Sequence, residues 1–305
     1  MRCPWRLCCG VLVAVAAVLW ALPAASLVCR AREECNPLLA LGPDTPPVGI
    51  SMKGVAKLVA ILWGKSFSGS GYVLVHVGAS VTDEGDLLTP GTVPGLFKPE
   101  TYRFVYVEPN THVLAPWSSK LRGFGFKESE LHFAEAAICP EDSEGATLYR
   151  PSHQLRLDHA PGLAPNELDD LSTFHKPRLL DWMRLLSPQV AALSPEQLSA
   201  YVENSTVRCA TPTTLLKEAG VRPESIDQLG VDLFGEDALE IVDLFLALDG
   251  FSPGTVTFEY AGHHHHEKPV MATLEKLVRD LAARGYEIHR SKDDIIAMAS
   301  DMRKR

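Results

Sequence analysis

Residues 72–80 read Tyr72-Val-Leu-Val-His-Val-Gly-Ala-Ser80, and this stretch decides the fold. Five of its first six residues are apolar or aromatic, which is typical of a strand that is buried on both faces, as in a parallel α/β sheet. The strand runs directly into three small residues at positions 78–80, which let a ligand come close to the backbone. Because ligands of open α/β sheets bind beyond the carboxyl ends of the strands, we predict a ligand site there.

A second buried strand is predicted at Tyr102–Val107, and it ends in Glu108-Pro109. An acidic residue at the tip of the neighbouring strand commonly binds the hydroxyls of a ribose. The two strand ends, taken in this order, predict a cofactor of the nucleoside type.

Strand and helix patterns alternate through the rest of the chain. Further strands are predicted at Glu130–Ile138, Gly145–Tyr149, Ile226–Leu233 and Thr255–Tyr260, and a terminal hairpin at Tyr286–His289 and Ile295–Ala299. Helices are predicted at Met52–Trp63, at Thr111–Leu121 with a break or late start at Pro116, near Pro177–Leu186, from Ser194, after Thr211, between Gly235 and Leu248, and at Pro269–Arg284. The alternation predicts an α/β fold: a doubly wound, mostly parallel, seven-stranded Rossmann-like sheet with a C-terminal antiparallel hairpin.

The N-terminus has the pattern of a secretory signal peptide, predicted at residues 1–25. Arg2 and Arg6 precede an apolar run from Leu7 to Leu22, and small residues follow that run. An uncleaved signal anchor is the alternative, and only then do we expect a membrane partner. We predict a linker at residues 26–50 and one domain at residues 51–305, with an insertion at about 151–206. The expected location is the lumen of the endoplasmic reticulum or Golgi, or outside the cell.

Cysteines and a glycosylation sequon agree with an oxidising compartment. Outside the signal segment there are four cysteines, and Cys29–Cys35 is the favoured pair because its loop is short. A Cys139–Cys209 pair is left open, since pairing cannot be deduced from sequence. Asn204-Ser205-Thr206 is a sequon, which is typical of a surface loop in a lumenal glycoprotein.

Composition limits the partner classes. The 305 residues are 46% hydrophobic and 22% charged, which is ordinary for a globular domain. The formal charge is −9 and the body of the chain has no basic cluster, so we expect no nucleic-acid partner. Consecutive residues at His263–His266 cannot all converge on one ion, so we predict no metal site and interpret them as a solvated loop. Contact of His263 or His264 with a substrate is a minor alternative.

A series of short motifs resembles the FkbM-like methyltransferases. The motifs are Val77-Gly78-Ala79-Ser80, Val107-Glu108-Pro109, Ala136-Ala137-Ile138, Val231-Asp232-Leu-Phe-Gly235-Glu-Asp237 and Phe258-Glu259-Tyr260. The resemblance covers about residues 72–150 and 207–299, and it leaves 151–206 without a counterpart. It implies a methyltransferase-type Rossmann-like fold, S-adenosylmethionine as cofactor, and O-methylation of a hydroxyl on a glycan or small metabolite.

The resemblance also implies a role for each matching residue. Cofactor binding falls on Val77, Gly78, Ala79 and Ser80 at the methionine moiety, Glu108 and Pro109 at the ribose, and Ala136 and Ala137 at the adenine. Asp232 is the implied catalytic residue, because an acid beside the methyl acceptor can take or orient its hydroxyl proton. No metal is implied.

Several positions depart from the family pattern. His76 stands where the first motif usually begins with Asp, and Ser80 and Thr82 replace its Asn and second Gly. Phe234 stands where the family has Glu, and Asp237 replaces a later Glu. These departures support a second hypothesis, a catalytically inactive methyltransferase-fold module that binds a glycan or protein. A nucleotide-sugar enzyme is a third, but the sequence lacks its Gly-x-Gly-x-x-Gly loop.

Overall fold

The computed structural model describes residues 71–78, 102–123, 126–163, 168, 171–233, 235–260, 268–290 and 294–300. Several predictions fall outside these ranges: the signal peptide or anchor (1–25), the linker (26–50), the helix at Met52–Trp63, the Cys29–Cys35 pair, Ala79, Ser80 and the histidines at His263–His266. None of the helices in the described ranges combines the length and apolar character that a bilayer crossing requires.

The strands are β1 (Tyr72–Val77), β2 (Tyr102–Val107), β3 (Leu131–Ala134), β4 (Ala137–Ile138), β5 (Ser143–Pro151), β6 (Val202–Ala210), β7 (Gln228–Val231), β8 (Thr255–Glu259), β9 (Tyr286–Arg290) and β10 (Asp294–Ala299). The α-helices are α1 (Thr111–Gly123), α2 (His153–His159), α3 (Lys176–Arg184), α4 (Pro188–Ala191), α5 (Pro195–Ser199), α6 (Pro212–Glu218), α7 (Glu236–Leu246) and α8 (Lys268–Ala283).

A seven-stranded sheet in the order β3-β2-β1-β7-β8-β10-β9 forms the centre of the molecule. The pairs from β3 to β8 are all parallel, and β10 is antiparallel to both of its neighbours. This confirms the predicted α/β fold, a doubly wound sheet of the Rossmann-like methyltransferase type with a C-terminal antiparallel hairpin. The chain winds outward from β1 in one direction and from β7 in the other, so the topological switch point lies between β1 and β7.

Both faces of the central strands are covered, as their continuous apolar sequences predict. On one face Val75 and Val105 pack in the larger core, to which α7 and α8 contribute. On the other face the aromatic residues of β2 pack with Leu114 and Leu121 of α1. Because a strand alternates its side chains between two faces, burial of both faces requires an apolar residue at nearly every position.

Helix α1 corrects one prediction. The sequence predicts a break or late start at Pro116, but the helix begins at Thr111 and continues to Gly123. Asn110 secures its start: its side-chain oxygen accepts a hydrogen bond from the His112 amide (3.2 Å), and its carbonyl accepts one from the Val113 amide (3.0 Å). A proline removes only one backbone donor from the helix, and this N-terminal cap fixes the first turn before that residue is reached.

The predicted third strand at Glu130–Ile138 is in fact two strands in two sheets. Leu131–Ala134 pairs with β2 in the large sheet, whereas Ala137–Ile138 pairs with Cys209–Ala210 of β6. The chain leaves the large sheet between them, since β4 finds its partner in a three-stranded sheet of order β4-β6-β5. The strand predicted at Gly145–Tyr149 is confirmed within β5.

Strand β6 was not predicted from the sequence. It contains the sequon residue Asn204, which pairs with Tyr149 of β5 and is exposed. The sequon therefore lies on a strand and not in a loop, which corrects that part of the prediction.

The inserted segment has an apolar core of its own. Its members, from α2 to α5 and the loops between them, are Leu155, Ala160, Leu171, Leu179, Trp182, Met183, Val190 and Leu198. A disulfide between Cys139 and Cys209 (S–S 2.06 Å) joins β4 to the end of β6 at the base of this segment. The predicted helix start at Ser194 is confirmed, with Ser194 and Gln197 forming a capping box.

Candidate functional site

A cavity of about 470 Å³ lies at the carboxyl ends of β1, β2, β7 and β8, beside the topological switch point. This is where open α/β sheets bind their ligands, and the volume falls within the roughly 300–1,000 Å³ usual for small-molecule sites. The structure brings together the predicted site residues that it describes: Val77, Gly78, Glu108, Pro109, Ala136, Ala137 and Asp232 all line the cavity.

Gly78 joins the ends of three strands. Its amide donates to the Val107 carbonyl (3.0 Å), and the Asp232 amide donates to the Val77 carbonyl (2.8 Å). The φ angle of Gly78 is 77°, and a Cβ built at this position would lie 2.2 Å from the carbonyl oxygen of Asp232. Only glycine satisfies both conditions, so residue 78 fixes how closely β1 and β7 approach at the cavity floor.

Glu108 is a buried carboxylate at the end of β2, with 7% of its surface exposed. Its Oε1 accepts a hydrogen bond from the Asn110 amide (2.6 Å), and its own amide donates to the Ala134 carbonyl (3.1 Å). These contacts hold the side chain at the cavity wall. A charged, oriented acceptor of this kind suits a pair of ligand hydroxyls.

One wall of the cavity is apolar and narrow. It is formed by Ala136, Ala137 and Ile138, all buried, where the chain passes from β3 to β4. Small side chains leave room for a flat ring to lie against the backbone. The Cys139–Cys209 disulfide continues this wall and holds it to the end of β6.

His76 does not line the cavity. Since Val77 points toward the cavity side of β1, His76 lies on the opposite face, where its ring packs against Tyr106 (ring centroids 5.5 Å apart). A Cβ at Gly230 would lie 3.1 Å from its Nδ1, so the glycine leaves space for the imidazole. Its Nε2 is buried and has no hydrogen-bond partner in the described part of the chain.

Three acidic residues on the second side of the cavity were not assigned to the site from the sequence: Asp237 and Glu240 of α7 and Glu259 at the end of β8. Acidic residues in the first turns of a helix are stabilised by the helix dipole, so the sequence alone gives no reason to place Asp237 and Glu240 in a cavity. Burial, together with the charges of Asp237 and Glu236, raises the pKa of the Glu240 carboxyl above its usual value.

The insertion also contributes to the cavity, through Ser172, Thr173, Phe174, His175 and Trp182. We call residues 172–178 the strap. At one end the Asn110 amide nitrogen Nδ2 donates to Ser172 Oγ (3.4 Å), and at the other Arg178 donates to Asp237 (2.8 Å) and Glu236 (3.4 Å). Asn110 follows β2 and Asp237 follows β7, and β1 lies between those strands, so the strap crosses the carboxyl end of β1.

Comparisons with known proteins assign neither a family nor an activity to this chain. No family model matches the sequence, and no curated protein matches it. Among solved structures, a Corynebacterium glutamicum protein is 12% identical with a TM-score of 0.33, covering 94% of this chain and 89% of that one. The fibrillarin/Nop5p complex gives 10% identity and a TM-score of 0.31, covering 76% and 72%. Neither likeness assigns an activity, and the fold rests on the observed strand order.

Proposed function

We propose that this protein is an S-adenosylmethionine-dependent O-methyltransferase of the FkbM type. It acts in the secretory pathway on a hydroxyl of a glycan or small metabolite. The supporting observation is the meeting of Gly78, Glu108 and Asp232 around one cavity at the switch point of a methyltransferase-type sheet.

The described residues fit the cofactor. The buried Glu108 carboxylate is placed to accept hydrogen bonds from ribose hydroxyls, and Ala136 and Ala137 leave a narrow apolar slot for adenine. When bound, S-adenosylmethionine supplies an electrophilic methyl group on a sulfonium sulfur. Asp232 lines the same cavity, and its carboxylate would accept the proton of the acceptor hydroxyl while the methyl carbon bonds to that oxygen and its bond to the sulfonium sulfur breaks, leaving S-adenosylhomocysteine.

The first test is calorimetric titration of the protein with S-adenosylhomocysteine. We expect micromolar binding, and we expect Glu108→Gln to weaken it by roughly 10–100-fold, because a buried charged acceptor becomes neutral. Glu128→Gln removes the same charge from an exposed residue and is the matched control. Asp232→Asn is expected to keep this affinity but to lose transfer of radiolabelled methyl groups to a panel of soluble glycans.

A second candidate is an inactive binding module with the same fold. The observation that favours it is His76, a bulky imidazole that stands where the family begins its first motif with Asp and whose buried Nε2 has no hydrogen-bond partner among the described residues. A well-folded protein that shows no binding at millimolar S-adenosylhomocysteine would make this candidate the better one. Binding that survives Glu108→Gln unchanged would remove Glu108 from the proposed cofactor site.

A further inference from the structure

The ionisable side chains that line the cavity are carboxylates, apart from His175 and the disulfide-bonded Cys139. These carboxylates are Glu108, Asp232, Asp237, Glu240 and Glu259, and no lysine or arginine lines the cavity among the described residues. Carboxylates accept hydrogen bonds from hydroxyl and ammonium groups but repel other anions. The negative charge of the cavity wall therefore disfavours anionic acceptors.

Arg178 does not neutralise this wall as a whole. Its two guanidinium nitrogens are taken by Asp237 (2.8 Å) and Glu236 (3.4 Å), at the first turn of α7. Glu240 lies one turn further along α7 and is exposed. Partial desolvation, and then the charges of Asp237 and Glu236, raise the pKa of its carboxyl. His175 on the strap is close enough to Glu240 to oppose that rise electrostatically.

The strap is the part of the cavity wall that has no counterpart in the resemblance to the FkbM-like enzymes. It is tied at both ends, at Ser172 and at Arg178, and between these ties it presents Phe174 and His175 to the cavity. Cavity residues without a counterpart in that resemblance are the ones that we expect to set acceptor specificity. An aromatic side chain can pack against the C–H face of a sugar-like ring, while neighbouring carboxylates accept hydrogen bonds from its hydroxyl groups.

We propose that Phe174, His175 and Glu240 form an acceptor subsite that takes a neutral or cationic hydroxylated ring and rejects anionic ones. Uronic acids and sulfated or phosphorylated sugars are therefore excluded as acceptors. The inference rests on the proposed function, since it names the acceptor class for the same cavity. Phe174 covers an apolar face of the ring, while Glu240 accepts a hydrogen bond from a hydroxyl or ammonium group.

The test uses three methyl glycosides that differ mainly in charge: glucose (neutral), glucosamine (cationic) and glucuronic acid (anionic). Their affinities are measured by NMR titration of the protein, with and without saturating S-adenosylhomocysteine. We expect the neutral and cationic sugars to bind at least ~10-fold more tightly than the anionic one, because burying like charges together costs more than one hydrogen bond returns. Glu240→Gln should reduce the affinity ratio between the neutral and the anionic sugar at least ~3-fold. Phe174→Ala should weaken the affinity for all three sugars at least ~5-fold.

Two variants at exposed residues that do not line the cavity serve as controls. Leu185→Ala removes an exposed apolar side chain just after α3, and Glu144→Gln removes an exposed charge on β5; both should leave the ranking unchanged. Equal affinity for the glucuronide, absence of binding by all three sugars, or a Phe174→Ala variant with wild-type affinities would each overturn the inference. Failure of S-adenosylhomocysteine to bind counts against the proposed function instead, and the charge ranking is then read from the free protein.

Discussion

Gly78 is the residue at which backbone conformation and site geometry are most tightly coupled. Alanine at this position must adopt a positive φ and also place a Cβ against the Asp232 carbonyl. We expect Gly78→Ala to lower the free energy of unfolding by about 3 kcal/mol, more than the positive φ alone would cost. Urea denaturation measures this change.

Gly285→Ala is the matched control for that substitution. Gly285 also has a positive φ, 86°, but a Cβ there meets no heavy atom of the described residues within 4 Å. It should lose only about 1–2 kcal/mol, the cost of the left-handed conformation. If both variants lost the same unfolding free energy, the close contact of residue 78 with the Asp232 carbonyl would add nothing to the cost of the positive φ.

Glu240 gives the molecule a pH dependence whose sign follows from its environment. Burial is the largest cause of its raised pKa, Asp237 and Glu236 add to it, and His175 and Arg178 oppose it. The folded state therefore binds the proton more tightly than the unfolded chain. Stability from this group is present below its ordinary pKa of 4.5 and is lost as pH rises through the higher folded value.

Glu240→Gln should accordingly stabilise the protein near neutral pH and have little effect in acid. We expect a higher Tm than wild type at about pH 7, with the difference vanishing near about pH 4, since the wild-type carboxyl is then protonated. Thermal denaturation at both pH values measures it. A Tm difference that is the same at both pH values would show that charge on Glu240 is not the cause.

At the scale of secondary structure, the Cys139–Cys209 disulfide joins two strands that are 70 residues apart in the chain. A bond that closes so long a loop restricts the unfolded chain strongly. We expect the double variant Cys139→Ser, Cys209→Ser to lose about 2–4 kcal/mol of unfolding free energy in denaturant titrations. Adding a reductant should lower the unfolding free energy of the wild type toward that of the variant. An unfolding free energy that the variant shares with the untreated wild type would contradict the expectation.

Elements with local signals could be predicted from the sequence. The N-cap residues Ser194 and Thr211 predict the starts of α5 and α6, because the side-chain oxygen of an N-cap accepts a hydrogen bond from a helix amide only three residues away. The central strands β1 and β2 could be read from their continuous apolar residues. Both signals lie in a few neighbouring residues, so they can be recognised without knowledge of the tertiary fold.

Elements defined by distant partners could not be predicted. Strand β4 has only two residues, and it is a strand because β6 lies beside it. Dependence on distant partners also explains why the sequence predicts Glu108 and Asp232 as site residues but not Glu240. The first two follow strand ends, whereas Glu240 enters the cavity wall only because α7 and the strap pack across the sheet edge.

At the scale of the whole molecule, the large sheet and the inserted segment have separate apolar cores. Leu229 of β7 lies in the core of the large sheet, and Leu179 of α3 lies in the core of the insertion. Polar ties connect the two at the strap, through Ser172 and Arg178. A segment with an apolar core of its own tends to open as a unit.

A matched pair of leucine substitutions tests this division. Leu179 and Leu229 are both fully buried, and either leucine-to-alanine change should cost its own core about 2–5 kcal/mol. Leu179→Ala should accelerate hydrogen exchange across α2 to α5 while β1 and β7 keep their wild-type protection and S-adenosylhomocysteine affinity is preserved. Leu229→Ala should accelerate exchange throughout the large sheet and weaken that affinity. Identical exchange patterns in the two variants would mean that the large sheet and the inserted segment open as one cooperative unit. A substitution in the strap would then also disturb the large sheet.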